Sequence, residues 1–453
     1  MKKQSGTLNV IELFAGVGGF RLALESVPGQ PFNVTLSNQF EPSKKIQHAS
    51  LIYLTHWPQG HHLNQDINEV LSSSAGQQAI RDAAPDMLVA GFPCQDYSVA
   101  RPRSQSKGIE GTKGVLWWSI ADLLGQRLAD GAPVKYVLLE NVDRLLSSPA
   151  SAKGRDFAIV LATLQQLGYA VEWRVVNAAD YGFPQRRRRV FIVAYHETTA
   201  LHACRNLEMT HDAHSWLSSG LLARAFPAVP RDPAGAAQRG FALPVEPFEA
   251  QRAYRPLDNG KSAFGNTGFA VAGRIHTTDV VVAAMGSYQP FTGRHDALAL
   301  GDVVARTAEV PASFHIDAGS ESRWRIAKGP KNIERVKDGF AYRYTEGGMA
   351  FPDALDKPAR TIITSEGGST PSRTKHAVRT PDGILRRLVP EELDELNGFP
   401  RGHTQHPQVT DAMRAFLMGN ALVTGIVKRI ATVLHEEHMA AEAVGEDRLL
   451  PAG

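Results

Sequence analysis

Short apolar runs alternate with amphipathic stretches over the first 195 residues of the chain. The apolar runs predict strands at residues 8–14, 33–37, 86–90, 135–139, 171–176 and 190–195. The amphipathic stretches predict helices at residues 20–27, 43–56, 115–128 and 155–167. Because near-continuous apolar strands that alternate with helices indicate a largely parallel sheet covered on both faces, the sequence predicts an α/β domain over residues 1–195.

The pattern changes at residue 196, where proline, glycine and alanine begin to interrupt the chain. Up to residue 358 only short strand-like pieces occur, such as 280–284, and no helical pattern of convincing length. This residue pattern predicts a separate, smaller domain of irregular β and loop structure over residues 196–358.

Regular patterning returns in the last part of the chain. A proline opens a short helical pattern at 390–397, and apolar residues from Leu422 to Leu434 recur at helical spacing. We expect residues 359–435 to complete the α/β domain, with this last helix packed on its sheet. The acidic tail, residues 436–453, is expected to fray.

The composition is that of an ordinary globular protein, with 43% hydrophobic and 21% charged residues, and argues against a disordered, collagen-like or coiled-coil chain. Two cysteines, Cys94 and Cys204, are too few for a disulfide framework or a four-cysteine metal site, and we expect no metal.

No run approaches the ~20 apolar residues of a membrane helix, and Glu12 interrupts the apolar N-terminal run that imitates a secretory signal. We therefore expect a cytoplasmic protein without a membrane partner.

Charge is informative locally rather than in total, because the formal net charge is only +3. Four basic residues and one acidic residue lie between Arg101 and Lys113, and Arg186–Arg189 is a run of four arginines. Residues 360–387 hold six basic and two acidic residues. These segments predict a phosphate-binding surface within a nearly neutral chain.

A glycine-rich turn, Phe14-Ala15-Gly16-Val17-Gly18-Gly19-Phe20, joins the first predicted strand to the first predicted helix. Glycines let the backbone turn tightly and approach a ligand closely. Such turns also occur without a cofactor, and the Gly-x-Gly-x-x-Gly spacing of nicotinamide-dependent oxidoreductases is absent. An oxidoreductase remains an alternative that rests on this turn alone.

Two reactive side chains follow neighbouring predicted strands. Cys94, in Gly91-Phe92-Pro93-Cys94-Gln95, lies where open α/β sheets bind their ligands, and the basic stretch after it favours a thiolate nucleophile. Glu140, in Leu139-Glu140-Asn141-Val142, is either a helix cap or ion-pair partner, or a carboxyl group that holds or protonates a ring under attack. Cys204 lacks such a setting and is interpreted as a small buried hydrophobe.

The arginine run precedes the last strand of the first domain. Because side chains alternate along an extended strand, Arg187 and Arg189 point to the same side and are the candidates for the site. The other two arginines are expected to face solvent or phosphate.

Five motifs, FAGVGGF, GFPCQDYS, LENV, QRRRR and GNAL, occur in this order along the chain. The set resembles the ordered motifs of the C5-cytosine DNA methyltransferases, over residues 8–195 and 360–434. The resemblance implies a Rossmann-like, S-adenosylmethionine-dependent methyltransferase domain with a mostly parallel sheet, and a smaller target-recognition domain in the unmatched region.

The resemblance also implies residue roles. Cys94 is the nucleophile, Glu140 contacts N3 and the amino group of a flipped cytosine, Arg187 reaches the base carbonyl, and Arg189 is its companion. Gln95 and Ser98 belong to a loop that closes on DNA, with glycines 108, 111 and 114 as hinges. The residues implied at the cofactor are Phe14, Gly16, Gly18, Gly19, Gln39, Asp66, Ile67, Pro93, Leu116, Asn420 and Leu422.

One position departs from the family pattern. Gln39 stands where the family usually has an acidic residue that holds the cofactor ribose, and Glu41 would replace it only if the register shifted by two residues.

The function implied is a sequence-specific DNA (cytosine-5)-methyltransferase that acts on double-stranded DNA through a covalent Cys94 adduct, monomeric on DNA and paired with a cognate restriction endonuclease. Two alternatives remain, an RNA cytosine methyltransferase on the same scaffold and a DNA-binding regulator without catalysis. Residues 364–368, Thr-Ser-Glu-Gly-Gly, either support the start of the recognition region or form a plain surface turn.

Overall fold

A computed structural model describes residues 6–92, 115–212, 214–232, 238–283, 297–337 and 340–447. The predictions for Pro93, Cys94, Gln95, Ser98 and the loop up to Lys113 lie outside these residues.

The strands of the large sheet are β1 (Leu8–Leu13), β2 (Phe32–Asn38), β3 (His62–Leu63), β4 (Met87–Gly91), β5 (Tyr136–Val142), β6 (Tyr169–Asn177), β7 (Arg188–His196), β9 (Arg239–Ala242), β10 (Thr267–Val271) and β11 (Arg274–Thr278). Three small two-stranded sheets pair β8 (Ala228–Pro230) with β12 (Val280–Val282), β13 (Lys331–Lys337) with β14 (Phe340–Glu346), and β15 (Val378–Arg379) with β16 (Leu385–Arg386).

The helices of the first half of the chain are α1 (Gly19–Glu25), α2 (His48–His56), α3 (Ile67–Ser72), α4 (Ser74–Ala83), α5 (Val115–Ala129), α6 (Arg155–Gln166), α7 (Ala200–His211) and α8 (Leu221–Ala225). Those of the second half are α9 (Pro247–Ala253), α10 (Leu300–Val304), α11 (Ala318–Lys328), α12 (Pro390–Leu396), α13 (Asp411–Asn420) and α14 (Thr424–Asp447).

The large sheet has the strand order β3-β2-β1-β4-β5-β7-β6-β10-β11-β9. The first five strands in this order are parallel, β7 is antiparallel to β5, and β6 therefore runs in the same direction as β5. Apolar clusters cover both faces; one contains residues of α5 and α6, and the other contains residues of α1 and α14. The predicted α/β fold is confirmed. Because parallel strands end at one edge, the segments after β1, β2, β4 and β5 lie near one another.

The sequence predicts irregular β and loop structure after residue 196, and part of this region instead joins the large sheet. Strands β9, β10 and β11 extend the large sheet beyond β6, and α7 and α11 are helices of 12 and 11 residues. Strand β10 is hard to recognise from sequence because Gly268 interrupts its apolar pattern. A Cβ atom at Gly268 would lie 2.0 Å from the Trp173 ring on β6, so glycine is what lets the two strands pair.

The C-terminal tail also differs from its prediction. Helix α14 continues to Asp447 instead of fraying after Leu434. Glu437 is buried in this extension and forms ion pairs with Arg205 on α7 and Arg224 on α8. These distant partners hold the acidic end of the helix against the protein.

One helical segment in the described part of the chain, Asp411–Val444, is long and apolar enough to cross a membrane by length and composition. Of its most apolar stretch, 67% is buried inside the protein, which is the behaviour of a core helix.

Glu12 is a fully buried carboxyl group within β1, and it accepts hydrogen bonds from the Tyr53 hydroxyl (3.0 Å) and the Arg21 backbone N–H (3.3 Å). Burial raises the pKa of Glu12 from 4.5 to about 7. Between these pH values the folded protein keeps a proton that the unfolded chain has lost, so the free energy of unfolding falls as the pH rises through this window.

Replacing Glu12 by glutamine is therefore expected to remove part of the pH dependence of stability. The stability of the wild type relative to Glu12→Gln should fall by roughly 3 kcal/mol between pH 5 and pH 8. Urea denaturation of both proteins at the two pH values measures this difference, with the exposed Glu69→Gln as control. Equal changes in wild type and Glu12→Gln would show that Glu12 titrates normally.

Candidate active site

The glycine-rich turn leaves β1 in an unusual backbone conformation. Phe14, Gly16 and Gly18 have φ angles of 54°, 56° and 86°, which lie in the left-handed region. A Cβ atom at Gly16 would lie more than 4 Å from every atom of the described residues other than its two chain neighbours, so among these residues the space over Gly16 is open. Gly16 is therefore the point where a ligand has room to approach the backbone.

Gly18 and Gly19 serve packing instead. A Cβ atom at Gly18 would lie 2.1 Å from the Trp57 ring, and one at Gly19 would lie 3.2 Å from Leu422. Leu422 is buried against this turn and the first helix, and it supports the turn by packing.

Gln39 follows β2 and lies beside the turn. Its side-chain Oε1 accepts a hydrogen bond of 2.8 Å from the Gly16 backbone N–H. Strand pairing of Leu13 with Asn38, and the hydrogen bond from Ala15 N–H to Asn38 O, fix this register. Gln39, and not Glu41, is therefore the side chain at the predicted ribose position.

Asp66 and Ile67 begin α3 at the same edge of the sheet. The Asp66 carboxylate caps the helix by accepting hydrogen bonds from the backbone N–H (2.8 Å) and the side-chain amide (2.9 Å) of Asn68. The Ile67 side chain is buried in the apolar core under the sheet. Asp66 is thus near the edge with a partly exposed carboxylate, whereas the side chain of Ile67 packs in the core.

The other two residues predicted at the cofactor lie on different elements. Leu116, in the first turn of α5, is half-buried and packs against the core. Asn420 is the exposed last residue of α13, directly after Gly419.

Glu140 lies near the end of β5, directly opposite Gly91 of β4. A Cβ atom at Gly91 would lie 3.5 Å from Glu140 Oε2, so the carboxylate lies over the end of β4. The segment that leads to Cys94 therefore starts next to this carboxylate.

Asn141 holds the start of that segment in place. Its buried side-chain amide donates a hydrogen bond of 2.8 Å to the backbone carbonyl of Phe92, and its Oδ1 accepts one of 2.8 Å from the Val142 N–H. Sequence reasoning gave Asn141 no role. The only available signal was a polar residue within an apolar strand and beside Glu140.

The arginine run alternates as predicted, with Arg186 and Arg188 exposed and the other two turned inward. Arg189 Nε lies 2.9 Å from Glu140 Oε1, and the two side chains are 17% and 12% exposed. This ion pair orients the carboxylate at a site that is partly open to solvent.

Arg187, for which the resemblance implies a contact with the base carbonyl, is placed differently from Arg189. It is buried, and its guanidinium donates hydrogen bonds of 3.0 Å to the backbone carbonyls of Ile362 and Gly419. Burial and the neighbouring Arg189 lower the pKa of Arg187 to about 9, so the group remains charged at neutral pH. Arg187 joins the strand to the C-terminal part of the chain, and Arg189 is the arginine at Glu140.

Gln185 makes the same connection and was missed as a functional residue. Its fully buried amide donates to Leu396 O (3.1 Å) and Asn397 Oδ1 (2.8 Å), and its Oε1 accepts from Ile362 N–H (3.0 Å). Nothing in one sequence distinguishes such a glutamine from a surface residue beside four arginines.

A glycine turn after β1 and a carboxylate at the end of β5 lie at the carboxyl edge of a parallel sheet, and together with the comparisons that follow they identify a Rossmann-like methyltransferase of the S-adenosylmethionine-dependent class. The family model for "C-5 cytosine-specific DNA methylase" matches residues 8–222. The type II methyltransferase M.Sau3AI of Staphylococcus aureus is 40% identical over 430 residues, which are 95% of this chain and 96% of that protein. The chain therefore belongs to the C-5 cytosine-specific DNA methylase family.

Further proteins are similar to this chain in sequence or in structure. The type II methyltransferase M.HhaI of Haemophilus parahaemolyticus is 34% identical over 193 residues, 43% of this chain and 50% of that protein. Among solved structures, Spodoptera frugiperda DNMT2 has a TM-score of 0.55 at 14% identity and covers 94% of this chain and 98% of its own. Dnmt2 of S. pombe has a TM-score of 0.54 at 13% identity, with 95% and 98% covered. These structures are similar in fold.

Proposed function

We propose that this chain methylates carbon 5 of a cytosine within a specific sequence of double-stranded DNA, using S-adenosylmethionine and Cys94 as the nucleophile. The observation that carries the proposal is the Glu140–Arg189 ion pair, located where the chain leaves β4 toward Cys94. The family whose model matches residues 8–222 supports cytosine as the substrate base.

Carbon 5 of cytosine is a weak nucleophile because the ring is electron-poor. Addition of the Cys94 thiolate to carbon 6 converts carbons 4 to 6 into an enamine, and carbon 5 then has the electron density to accept a methyl group. Loss of the proton from carbon 5 restores the double bond and expels the thiolate. Cys94 is thus regenerated, and one proton leaves for each methyl group added.

Glu140 stabilises the attacked ring in this proposal. Negative charge develops at N3 as the thiolate adds, and a carboxyl group that carries a proton and donates it in a hydrogen bond to N3 lowers the barrier, an effect that is typically worth 10²- to 10⁴-fold. Arg189 fixes the orientation of Glu140, and Asn141 fixes the backbone from which Cys94 extends. The ring reaches both groups only if the base leaves the stack, at a cost of a few kcal/mol.

The glycine-rich turn after β1 and the ends of β2 and β3 form the proposed binding site for S-adenosylmethionine. When bound, this cofactor supplies the electrophilic methyl group. Gly16 leaves open space for the cofactor, and Gln39 holds the turn by accepting the hydrogen bond from the Gly16 N–H. The partly exposed Asp66 carboxylate lies at the same sheet edge. Holding the reacting groups in line contributes up to ~7–11 kcal/mol to lowering the barrier.

The proposed activity also suggests an oligomeric state, a location and a partner for the protein. We propose that the protein acts as a monomer on DNA in the cytoplasm, in contact with the nucleoid, and that a cognate restriction endonuclease cuts the same sequence. Target recognition is proposed for the region up to residue 358 that lies outside the large sheet.

A labelled-methyl assay tests the function. Duplex DNA incubated with the protein and radiolabelled S-adenosylmethionine should yield label in 5-methylcytosine after digestion to nucleosides. Label in adenine or in N4-methylcytosine would reject the proposal. A parallel reaction with tRNA as the main acceptor, and no reaction on DNA, would support the RNA alternative instead.

Removing the Gln39 side chain is expected to weaken cofactor binding. In Gln39→Ala the Gly16 N–H loses its acceptor and the turn loosens, so the dissociation constant for S-adenosylmethionine should rise about 3- to 10-fold. Isothermal titration calorimetry measures it. Gln39→Glu keeps an acceptor and should bind nearly as well as wild type.

Gln47→Ala is the matched control for Gln39→Ala, because Gln47 also binds a backbone N–H, that of Glu41, but away from the turn. An unchanged affinity in Gln39→Ala would show that the turn does not depend on this hydrogen bond.

A further inference from the structure

Strands β13 and β14 form a two-stranded antiparallel ribbon that pairs with no other described strand. Each strand has seven residues, which corresponds to about 23 Å of extended chain. The ribbon follows α11, and residues 318–349 together hold seven basic and four acidic residues. This short segment thus carries an excess of three positive charges, as large as that of the whole chain.

One face of the ribbon is fully exposed. Residues directly opposite one another share a face, and on this face Asn332 pairs with Thr345 and Glu334 pairs with Arg343. All four are exposed. Their side chains form no hydrogen bond or ion pair with other residues that the structure describes.

The same face continues toward the end of the ribbon as apolar surface. Val336 is 71% exposed, and the residue opposite it, Ala341, is also exposed. The face therefore presents an amide, a hydroxyl, a carboxylate, a guanidinium and two small apolar groups, all available to a partner.

The base of the ribbon is held firmly. Arg373 donates hydrogen bonds to the carbonyl of Gly329 (2.7 Å), before the first strand, and to that of Gly347, after the second. Its Nε also lies 3.2 Å from Glu346. One partly buried arginine thus contacts both ends of the ribbon.

Buried charges continue this connection into the protein. Lys328, at the end of α11, lies 3.3 Å from Asp353, and Asp353 binds Arg360 at 2.8 Å. The residue before Arg360, Ala359, accepts a hydrogen bond of 2.8 Å from the Arg186 N–H. The ribbon is therefore joined through residues 353–360 to the strand that carries the Glu140 partner, Arg189.

We propose that the exposed face of the β13–β14 ribbon, with Asn332, Glu334, Arg343 and Thr345, reads base edges in the major groove of the DNA substrate. This inference rests on the proposed function. The major groove admits a two-stranded ribbon, and the four side chains are of the types that discriminate bases there. Arginine pairs with guanine, asparagine with adenine, carboxylates accept from cytosine, and small apolar groups contact the thymine methyl group.

Because the base of the ribbon is attached to the protein, recognition of bases by the ribbon can position the target cytosine. A reader that is fixed relative to Arg189 and Glu140 places one defined cytosine at the catalytic residues. The excess of positive charge in the same segment favours approach to phosphate.

The experiment compares Arg343→Ala and Arg343→Lys with wild type. The wild-type recognition site is first found by bisulfite sequencing of DNA methylated by the purified chain. The ratio kcat/KM is then measured on a duplex with this site and on duplexes that each carry one changed base pair. Both variants are expected to lose roughly 10- to 100-fold on the correct site and to lose discrimination at one base pair, because lysine keeps the charge but not the paired donors.

Arg323→Ala is the matched control, since Arg323 is an exposed arginine on α11 that bonds Ser320 rather than facing outward on the ribbon. It should keep the wild-type discrimination. A loss that is equal on all sequences and is rescued by Arg343→Lys would show a phosphate contact and overturn the proposal, as would unchanged discrimination in Arg343→Ala. A wild-type chain that methylates no duplex DNA would instead reject the proposed function itself.

Discussion

Replacing Cys94 by alanine is expected to reduce methyl transfer to DNA by on the order of 10⁵-fold or more, to the level of the uncatalysed background. In the proposed mechanism the positioned thiolate provides the bond to carbon 6 without which carbon 5 does not react, and positioned groups of this kind correspond to effective molarities of about 10⁵–10⁸ M. The rate of label incorporation into duplex DNA at saturating cofactor measures the loss. Circular dichroism should show an unchanged fold.

The other cysteine is the control for this experiment. Cys204 is half-buried on α7 and packs against the apolar cluster that contains α14. Cys204→Ala should therefore keep full activity and lose only a little stability.

Covalent trapping adds an independent readout for Cys94. DNA with 5-fluorocytosine at the target base has no proton to lose from carbon 5, so the thiolate cannot leave after methylation. Wild type should form a complex that survives denaturing electrophoresis, and Cys94→Ala should not. Appreciable turnover by Cys94→Ala, or failure of wild type to be trapped, would contradict the covalent mechanism.

Replacing each of the two inward-facing arginines by alanine should affect a different property: stability for Arg187 and kcat for Arg189. Arg187→Ala leaves two buried carbonyl groups, those of Ile362 and Gly419, without a donor, and is expected to lower the free energy of unfolding by about 2–5 kcal/mol. Arg189→Ala removes a partly exposed ion pair and should change stability by less than about 1 kcal/mol. Its kcat should fall by roughly 10²- to 10³-fold, because Glu140 is no longer oriented.

Urea denaturation and steady-state kinetics on the same preparations distinguish the two roles. Arg188→Ala is the control between them, since Arg188 is exposed and pairs with the partly exposed Asp143, and it should change neither quantity much. If Arg187→Ala remained stable but inactive, the sequence-based prediction that Arg187 reaches the base would be supported.

The sequence predicts the centre of the sheet well because burial there is nearly complete. Strands β4, β5 and β7 are apolar over most of their length, and such runs have few alternatives in a soluble protein. Short or polar elements were missed. Strand β3 has two residues, and α4 begins with a capping hydrogen bond that the Ser73 hydroxyl accepts from the Gly76 N–H.

Elements whose formation depends on distant residues could not be predicted. Strand β10 exists because Gly268 accommodates the Trp173 ring, and the last turns of α14 exist because Glu437 meets two arginines more than 200 residues earlier in the chain. Neither partner is visible in the local pattern, so glycine was interpreted as a break and the acidic tail as frayed.

In the candidate site, too, local patterns could be predicted from the sequence, whereas contacts with distant residues could not. Motif order and strand ends placed Glu140 beside the segment that carries Cys94, and the structure has Glu140 opposite Gly91. Strand alternation selected Arg187 and Arg189 but could not separate them. Their difference lies in backbone carbonyls from residues 362 and 419, which no periodicity within the arginine run reveals.

The buried bonds of Gln185 and Arg187 also have a consequence for synthesis of the protein. Their acceptors come 175 to 232 residues later in the chain, so the arginine strand emerges from the ribosome long before the groups that satisfy it. A nascent chain, or one cut short by a premature stop codon before residue 360, leaves these donors unpaired on the segment that also carries the Glu140 partner, Arg189. Such fragments should be inert and readily proteolysed, and the cell gains a working enzyme only when translation has almost finished.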